Sequence, residues 1–127
     1  MVPDILEGKH FDDDIMSYGF HDCAPRLKIK NGGTYGVPFG ALRVKDLKNL
    51  LASGMNITSA WEAHMSTRNT VCCMGQGQAA GTAAALCALK GCGTRKLPYA
   101  ELRKKLIEGG SVFGKLSSVN SGSLHGL

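Results

Sequence analysis

Aromatic side chains are scarce in this 127-residue chain, at 6% of residues. No basic run is interleaved with Tyr or Phe, which argues against a surface that stacks nucleic-acid bases. Long hydrophobic runs are missing too. The longest, about 79–89, is roughly half of the ~20 residues a bilayer span needs, so no membrane segment is expected. The first residues, Met1-Val-Pro-Asp, are polar and unlike a signal peptide. The five cysteines (Cys23, Cys72, Cys73, Cys87, Cys92) include no C-x-x-C pair. An odd, unpatterned set argues for reduced thiols and a cytoplasmic setting, not a disulfide framework. Standard ligand spacing is absent as well: Asp12-Asp13-Asp14 lacks the Gly and Glu of a calcium loop, and the cysteines with His64 match no zinc pattern. No metal is expected. The acidic run reads instead as a solvated helix start. The net charge of +5 and pI near 9.1 are too mild to imply nucleic acid, but suit an anionic ligand such as a pyrophosphate or carboxylate.

With 43% hydrophobic and 20% charged residues, the chain has an ordinary soluble composition. Its length allows one domain, burying about 65% of its unfolded surface. Residues 1–34 read as irregular, with a turn at Asn31-Gly32-Gly33. From Thr34 to Val44 the pattern is extended: Tyr35, Val37 and Phe39 alternate, and Pro38 marks a sheet edge or a break. Asn49-Leu50-Leu51-Ala52-Ser53-Gly54 reads as a buried strand stopped by a tight turn, and 55–70 as a polar, site-lining loop. Ala, Leu and Gln then predict a long helix over 71–90, stopped by Gly91 and Gly93. A shorter helix over 98–109 starts near Pro98. Its stripe of Leu102, Leu106 and Ile107 lies opposite Arg103, Lys104, Lys105 and Glu108, a solvated face. Beyond Gly109, Gly and Ser dominate and periodicity ends, so 114–127 is expected to be a flexible tail. The fold class is mixed α/β with few strands.

The informative segment is Gly75-Gln76-Gly77-Gln78-Ala79-Ala80-Gly81-Thr82-Ala83-Ala84-Ala85. Glycine is a poor helix former, so three at the head of a helix call for a reason. One is close approach, since glycines at 77 and 81 clear one face for a backbone or flat ligand. Another is electrostatic, because free N–H groups at a helix start favour negative charge. A third needs no ligand: a small-residue helix packed tightly on a sheet. The spacing G-x-G-x-x-x-G is one residue longer than the dinucleotide fingerprint, and no strand runs into it.

Several pieces, in this order and spacing, closely resemble one family. They are Tyr35-Gly36-Val37-Pro38-Phe39-Gly40-Ala41-Leu42, Lys48-Asn49-Leu50-Leu51-Ala52-Ser53-Gly54, Glu62-Ala63-His64, Ser66-Thr67-Arg68, and the block 77–85. Over about residues 6–112 they resemble the C-terminal end of bacterial FAD-dependent oxidoreductases. The N-terminal G-x-G-x-x-G Rossmann unit of such proteins has no counterpart in these 127 residues. The resemblance therefore implies a C-terminal portion of a flavoenzyme, acting on a small-molecule substrate it does not identify. Residues 1–34 would come from the substrate-domain side and 35–113 from the FAD-binding domain. It further implies that 49–53 is the last strand of the FAD domain and that Gly54 approaches the ribityl–pyrophosphate part. The helix with Gly77, Gln78, Ala79, Ala80 and Gly81 would direct N–H groups at the flavin N1–C2=O edge. Met55 stands where a polar residue is usual, with Asn56 next to it; Val71 replaces a common Pro, and Trp61 a smaller polar residue.

His64 and Arg68, with Glu62 a weaker third, fall in the stretch the resemblance sets around the isoalloxazine, where they would position an anionic substrate or move protons. A surface loop whose polar groups satisfy one another would use the same residues. Cys72 and Cys73 near a helix start could be reactive thiols or buried structural ones. Two readings compete with the flavoenzyme segment: a truncated module that self-associates and binds no cofactor, and a small anion-binding domain. Without the Rossmann half, FAD is not expected to stay bound to this chain alone. Its uncovered strand and helix face are expected to drive homo-oligomer formation.

Overall fold

The computed structural model describes residues 2–19 and 29–113. Cys23 and the tail over 114–127 lie outside the described residues. The elements run α1 (Val2–Leu6), β1 (Asp14–Tyr18), α2 (Lys30–Gly33), β2 (Tyr35–Pro38), α3 (Trp61–Thr67), α4 (Thr70–Lys90) and α5 (Tyr99–Glu108). Two 3-10 turns, Phe39–Leu42 and Gly54–Asn56, lie between β2 and α3. The mixed α/β class is as expected.

The sheet has two antiparallel strands, pairing Met16 with Val37, Ser17 with Gly36 and Tyr18 with Tyr35, with a bulge between Asp14 and Met16. Apolar side chains on β1 and β2 explain the pairing: Ile15, Tyr35 and Val37 are all 3% exposed or less, as is Phe39 just after β2. Each such burial contributes roughly 1.5–3 kcal/mol. The Tyr18 and Tyr35 rings meet edge to face, with centroids 6.0 Å apart. Gly36 has no substitute here, because a Cβ would run into the Asp14 carboxylate. Pro38 ends β2, as its missing N–H demands, and the Phe39 N–H instead donates to Asp13 O at 2.7 Å.

Several expectations are corrected in this half. Residues 1–34 are not uniformly irregular, since they carry α1, β1 and α2, and Asn31-Gly32-Gly33 lies in α2 instead of a free turn. Asp14 does not start a solvated helix. It opens β1, 6% exposed, where burial raises its pKa against the opposing hydrogen bond from His10. The extended stretch ends at Pro38, and 39–42 coil into a 3-10 turn that buries Phe39 and Leu42. Residues 49–53 form no strand. One bridge, Leu51 to Arg43, is flanked by Ala52 N–H donating to Leu42 O (2.8 Å) and Val44 N–H to Leu50 O (3.5 Å). Leu50 is 48% exposed. Residues 55–70 are not a loop, as they hold a 3-10 turn and α3.

α4 crosses β1, and α5 packs on α4. The buried stripe of α4 is Cys72, Gln76, Ala79, Ala83 and Cys87, at helical spacing and small enough for close contact. In α5, Leu102 and Leu106 are fully buried as expected, but Ile107 is 53% exposed. Tyr99 Oη donates to Asp14 O, tying α5 to β1. Ser17 N–H donates to Val112 O at 3.0 Å, so the segment after α5 returns to the free edge of β1. Gly93 fits where a Cβ would come within 2.7 Å of Lys48 O. No helix among the described residues is long and apolar enough to cross a membrane.

Candidate functional site

The three glycines of the 75–81 run separate once α4 is set on the sheet. Gly75 faces β1, and a Cβ there would run into the Met16 thioether. For this residue the tight-packing reading holds. Gly77 and Gly81 are exposed, and a Cβ on either would meet nothing within 4 Å. They share a side of α4 with Ala84 and Ala88 by i+3/i+4 spacing, opposite the buried stripe. Along this side runs a groove of ≈ 590 Å³ between α4 and 49–51, lined by Leu50, Ala80, Gly81, Ala84 and Ala88 among others. That size falls in the ~300–1,000 Å³ range of small-molecule sites.

The glycine run is not at the helix head. α4 starts at Thr70, so Gly77 sits about 10 Å along it and its N–H group lies inside the helix. The orphan donors belong to Thr70, Val71 and Cys72. Asn69 provides no side-chain cap, and these three N–H groups find no acceptor among the described residues. Arg68 lies two residues before this end as the C-cap of α3, exposed and without an ion pair among the described residues.

Gln76 joins the surrounding segments. It is fully buried; its Nε2 donates to Thr67 O (2.8 Å) and Cys72 Sγ (3.1 Å), and its Oε1 accepts from the Gly54 N–H (2.8 Å). One amide thus holds the end of α3, the turn at Gly54 and the second turn of α4 together. Gly54 has φ 66°, a left-handed value that favours glycine, and its α-carbon faces Cys73, one turn before Gly77. Gly54, Gly77, Ala80 and Gly81 are therefore brought to one side of α4. Ala79 is not with them, being fully buried beneath α4. Gln78 is turned away, donating from Nε2 to Gly109 O (2.9 Å) and accepting from Ser111 Oγ (3.3 Å).

His64 is half-buried on α3, with Nδ1 3.1 Å from Ser59 Oγ. Ser59 borders a cavity of ≈ 130 Å³ among Tyr35, Val37, Ala41, Ala63 and Thr67, too small for a flavin ring. Glu62 is exposed on the first turn of α3. Exposed apolar side chains are concentrated around this end: Met55 (68%), Trp61 (81%), Met65 (55%), Val71 (59%) and Met74 (69%). Cys72 and Cys73 are both engaged within the fold. Cys72 is fully buried and its thiol is pushed up to about 11, first by burial, the opposite of an activated nucleophile. The Cys73 thiol donates to Arg68 O at 3.2 Å, capping α3. No group of three or more His, Cys, Asp or Glu able to hold a metal occurs among the described residues.

Sequence reasoning passed over Gln76. The signal was there: a lone amide at the position shared with Cys72, Ala79 and Ala83 needs internal partners. The profile of FAD dependent oxidoreductases matches residues 2–106. No curated protein and no solved structure matches the chain. A match spanning α1 to the last turn of α5 takes in every element that builds this site, and the chain belongs to the FAD dependent oxidoreductase family.

Proposed function

We propose that this chain is the C-terminal, flavin-facing portion of an FAD-dependent oxidoreductase, with the open side of α4 turned to the cofactor. The observation that carries this reading is the space over Gly77 and Gly81. Each glycine inside a helix costs about 0.8–1 kcal/mol relative to Ala. Gly75 offsets that cost by its contact with Met16, whereas nothing among the described residues requires glycine at 77 or 81. Their reason lies in something that approaches from outside, and a flat ring system has the right shape.

The residues present fit the flavin end of FAD. Gly54 and Ala80 extend the small-residue side, and the uncapped start of α4 offers three N–H donors and a positive dipole end to an electron-rich edge. Arg68 adds a cation there. Bound FAD supplies two-electron transfer to or from a small-molecule substrate. The chain's part is to orient the ring against backbone, to favour negative charge with the first turn of α4, and to hold an anionic substrate with Arg68. His64, its Nδ1 engaged by Ser59, keeps Nε2 to exchange a proton. This chain alone supplies mainly the ring end. Several phosphate hydrogen bonds of about 1.5–3 kcal/mol each are made elsewhere in such a site, so FAD is not retained tightly here. The free thiols of the four described cysteines fit a cytoplasmic protein.

A second reading, a module that self-associates, is favoured by the exposure of Trp61 on α3 and of Met74 and Leu89 (84%) on α4. Gly81→Leu separates the two. In the flavin-bearing gene product that contains this chain, the variant is expected to lose bound FAD while keeping its helical circular dichroism. A full complement of flavin in Gly81→Leu would refute the flavin-facing role. A dimer that becomes a monomer, with flavin unaffected, would establish the association reading instead.

A further inference from the structure

α4 ends at Lys90, and the chain leaves it through Gly91 at φ 61°. The Gly91 N–H donates to Ala88 O (3.3 Å) and the Cys92 N–H to Cys87 O (3.0 Å). This pair of bonds is a Schellman cap, which folds the residue after the glycine back over the last turn and brings its side chain onto the residue five before it. Both of those residues are cysteine. Cys87 is 8% exposed and Cys92 half-buried, both thiols are free, and both line the groove beside α4. Burial, followed by the neighbouring Cys92 thiol, raises the Cys87 pKa, so this sulfur stays protonated at neutral pH.

We propose that Cys87 and Cys92 are a redox-active dithiol, converted to an intramolecular disulfide by small disulfides that enter the groove. Cys92, the more exposed, is the attacking thiolate. It displaces one sulfur of the reagent R–S–S–R, so the reagent's S–S bond breaks, a Cys92–S–S–R bond forms and one R–SH leaves. Cys87 then loses its proton and attacks the Cys92 sulfur, which releases the second R–SH and closes the Cys87–Cys92 bond. Two electrons and two protons pass from the protein to the reagent, and no other oxidant is needed. The adjacency set by the cap makes the second step intramolecular and fast.

Oxidised glutathione is the probe. Trypsin cuts after Arg68, Lys90 and Arg95, which puts Cys87 in peptide 69–90 and Cys92 in peptide 91–95. Treated protein is expected to lose the mass of two hydrogens with no glutathione retained. The two peptides should stay joined under non-reducing conditions and separate with dithiothreitol, and fragmentation should place the link on Cys87. Cys87→Ser is expected to stop at a stable Cys92–glutathione adduct, and Cys92→Ser to lose the groove's reactivity. Mapping of the unsubstituted protein decides the matter even if Cys87→Ser folds poorly. Glutathione persisting on Cys92, or a link from Cys92 to Cys23, Cys72 or Cys73, would overturn the proposal.

Discussion

Replacing Gln76 by Met tests whether one buried amide holds the site together. Met keeps the length and most of the volume, so no large cavity opens, but both ends of the polar group are lost. Thr67 O is then buried without its 2.8 Å donor, and the Gly54 N–H, half-buried, loses its acceptor. An orphaned buried group costs about 1–3 kcal/mol, less where water can reach it, so the sum is about 3 kcal/mol. Against a total stability of ~5–15 kcal/mol that is a large fraction, worth roughly 10 °C in Tm for a chain of this size. Urea unfolding followed by circular dichroism at the helical band is the assay. Trp61 fluorescence is a poor substitute, because the ring is already 81% exposed and changes environment little on unfolding. Amide exchange adds a local readout, since the Gly54 N–H should lose protection ahead of the α4 interior. A Met variant within ~0.5 kcal/mol of the parent, with Gly54 equally protected, would refute the reasoning.

Gly75→Leu and Gly81→Leu should diverge. The first forces a side chain into Met16 and should cost about 1–3 kcal/mol, while the second fills open space and gains up to about 0.8 kcal/mol of helix propensity. Equal thermal midpoints for the pair would contradict the orientation of α4. Gly36→Ala should be severely destabilising, by about 2–4 kcal/mol, because the new methyl displaces the Asp14 carboxylate from its buried position; a soluble variant melting with the parent would show otherwise. For Cys72, the unfolded thiol ionises near its ordinary 9.0 and the folded one near 11. Its contribution is therefore complete below pH 9 and declines as pH rises towards 11, by on the order of 2 kcal/mol. The stability gap between the parent and Cys72→Ala, measured by urea midpoint, should narrow across that window, and a constant gap would refute it.

α4 and α5 were legible because their signals are local: helix formers in number, Gly91 as a left-handed stop, Pro98 at the N-cap, and Leu102 with Leu106 one turn apart. β1 was not, since Asp14 and Ser17 hide a strand whose partner is contributed only after α2. α3 escaped for a similar reason. Its buried face is Ala63, Ser66 and Thr67, small and polar, and Ala60 gives it no cap. Residues 49–53 carry the hydrophobicity of a strand, but among the described residues they form only an isolated bridge, Leu51 with Arg43. At the site, the glycines stood out in the sequence, yet Gly75 and Gly81 look alike until the rotation of α4 over Met16 is known.

The bond from Ser17 to Val112 spans most of the chain, as does that from Tyr99 to Asp14. Contacts this far apart carry the largest loop-closure cost. The helix that crosses β1 follows β2 by some thirty residues. Until α4 has been made, Met16 lacks the helix that packs on it at Gly75. A slow stretch of translation before residue 70 would lengthen the time for which that contact is missing.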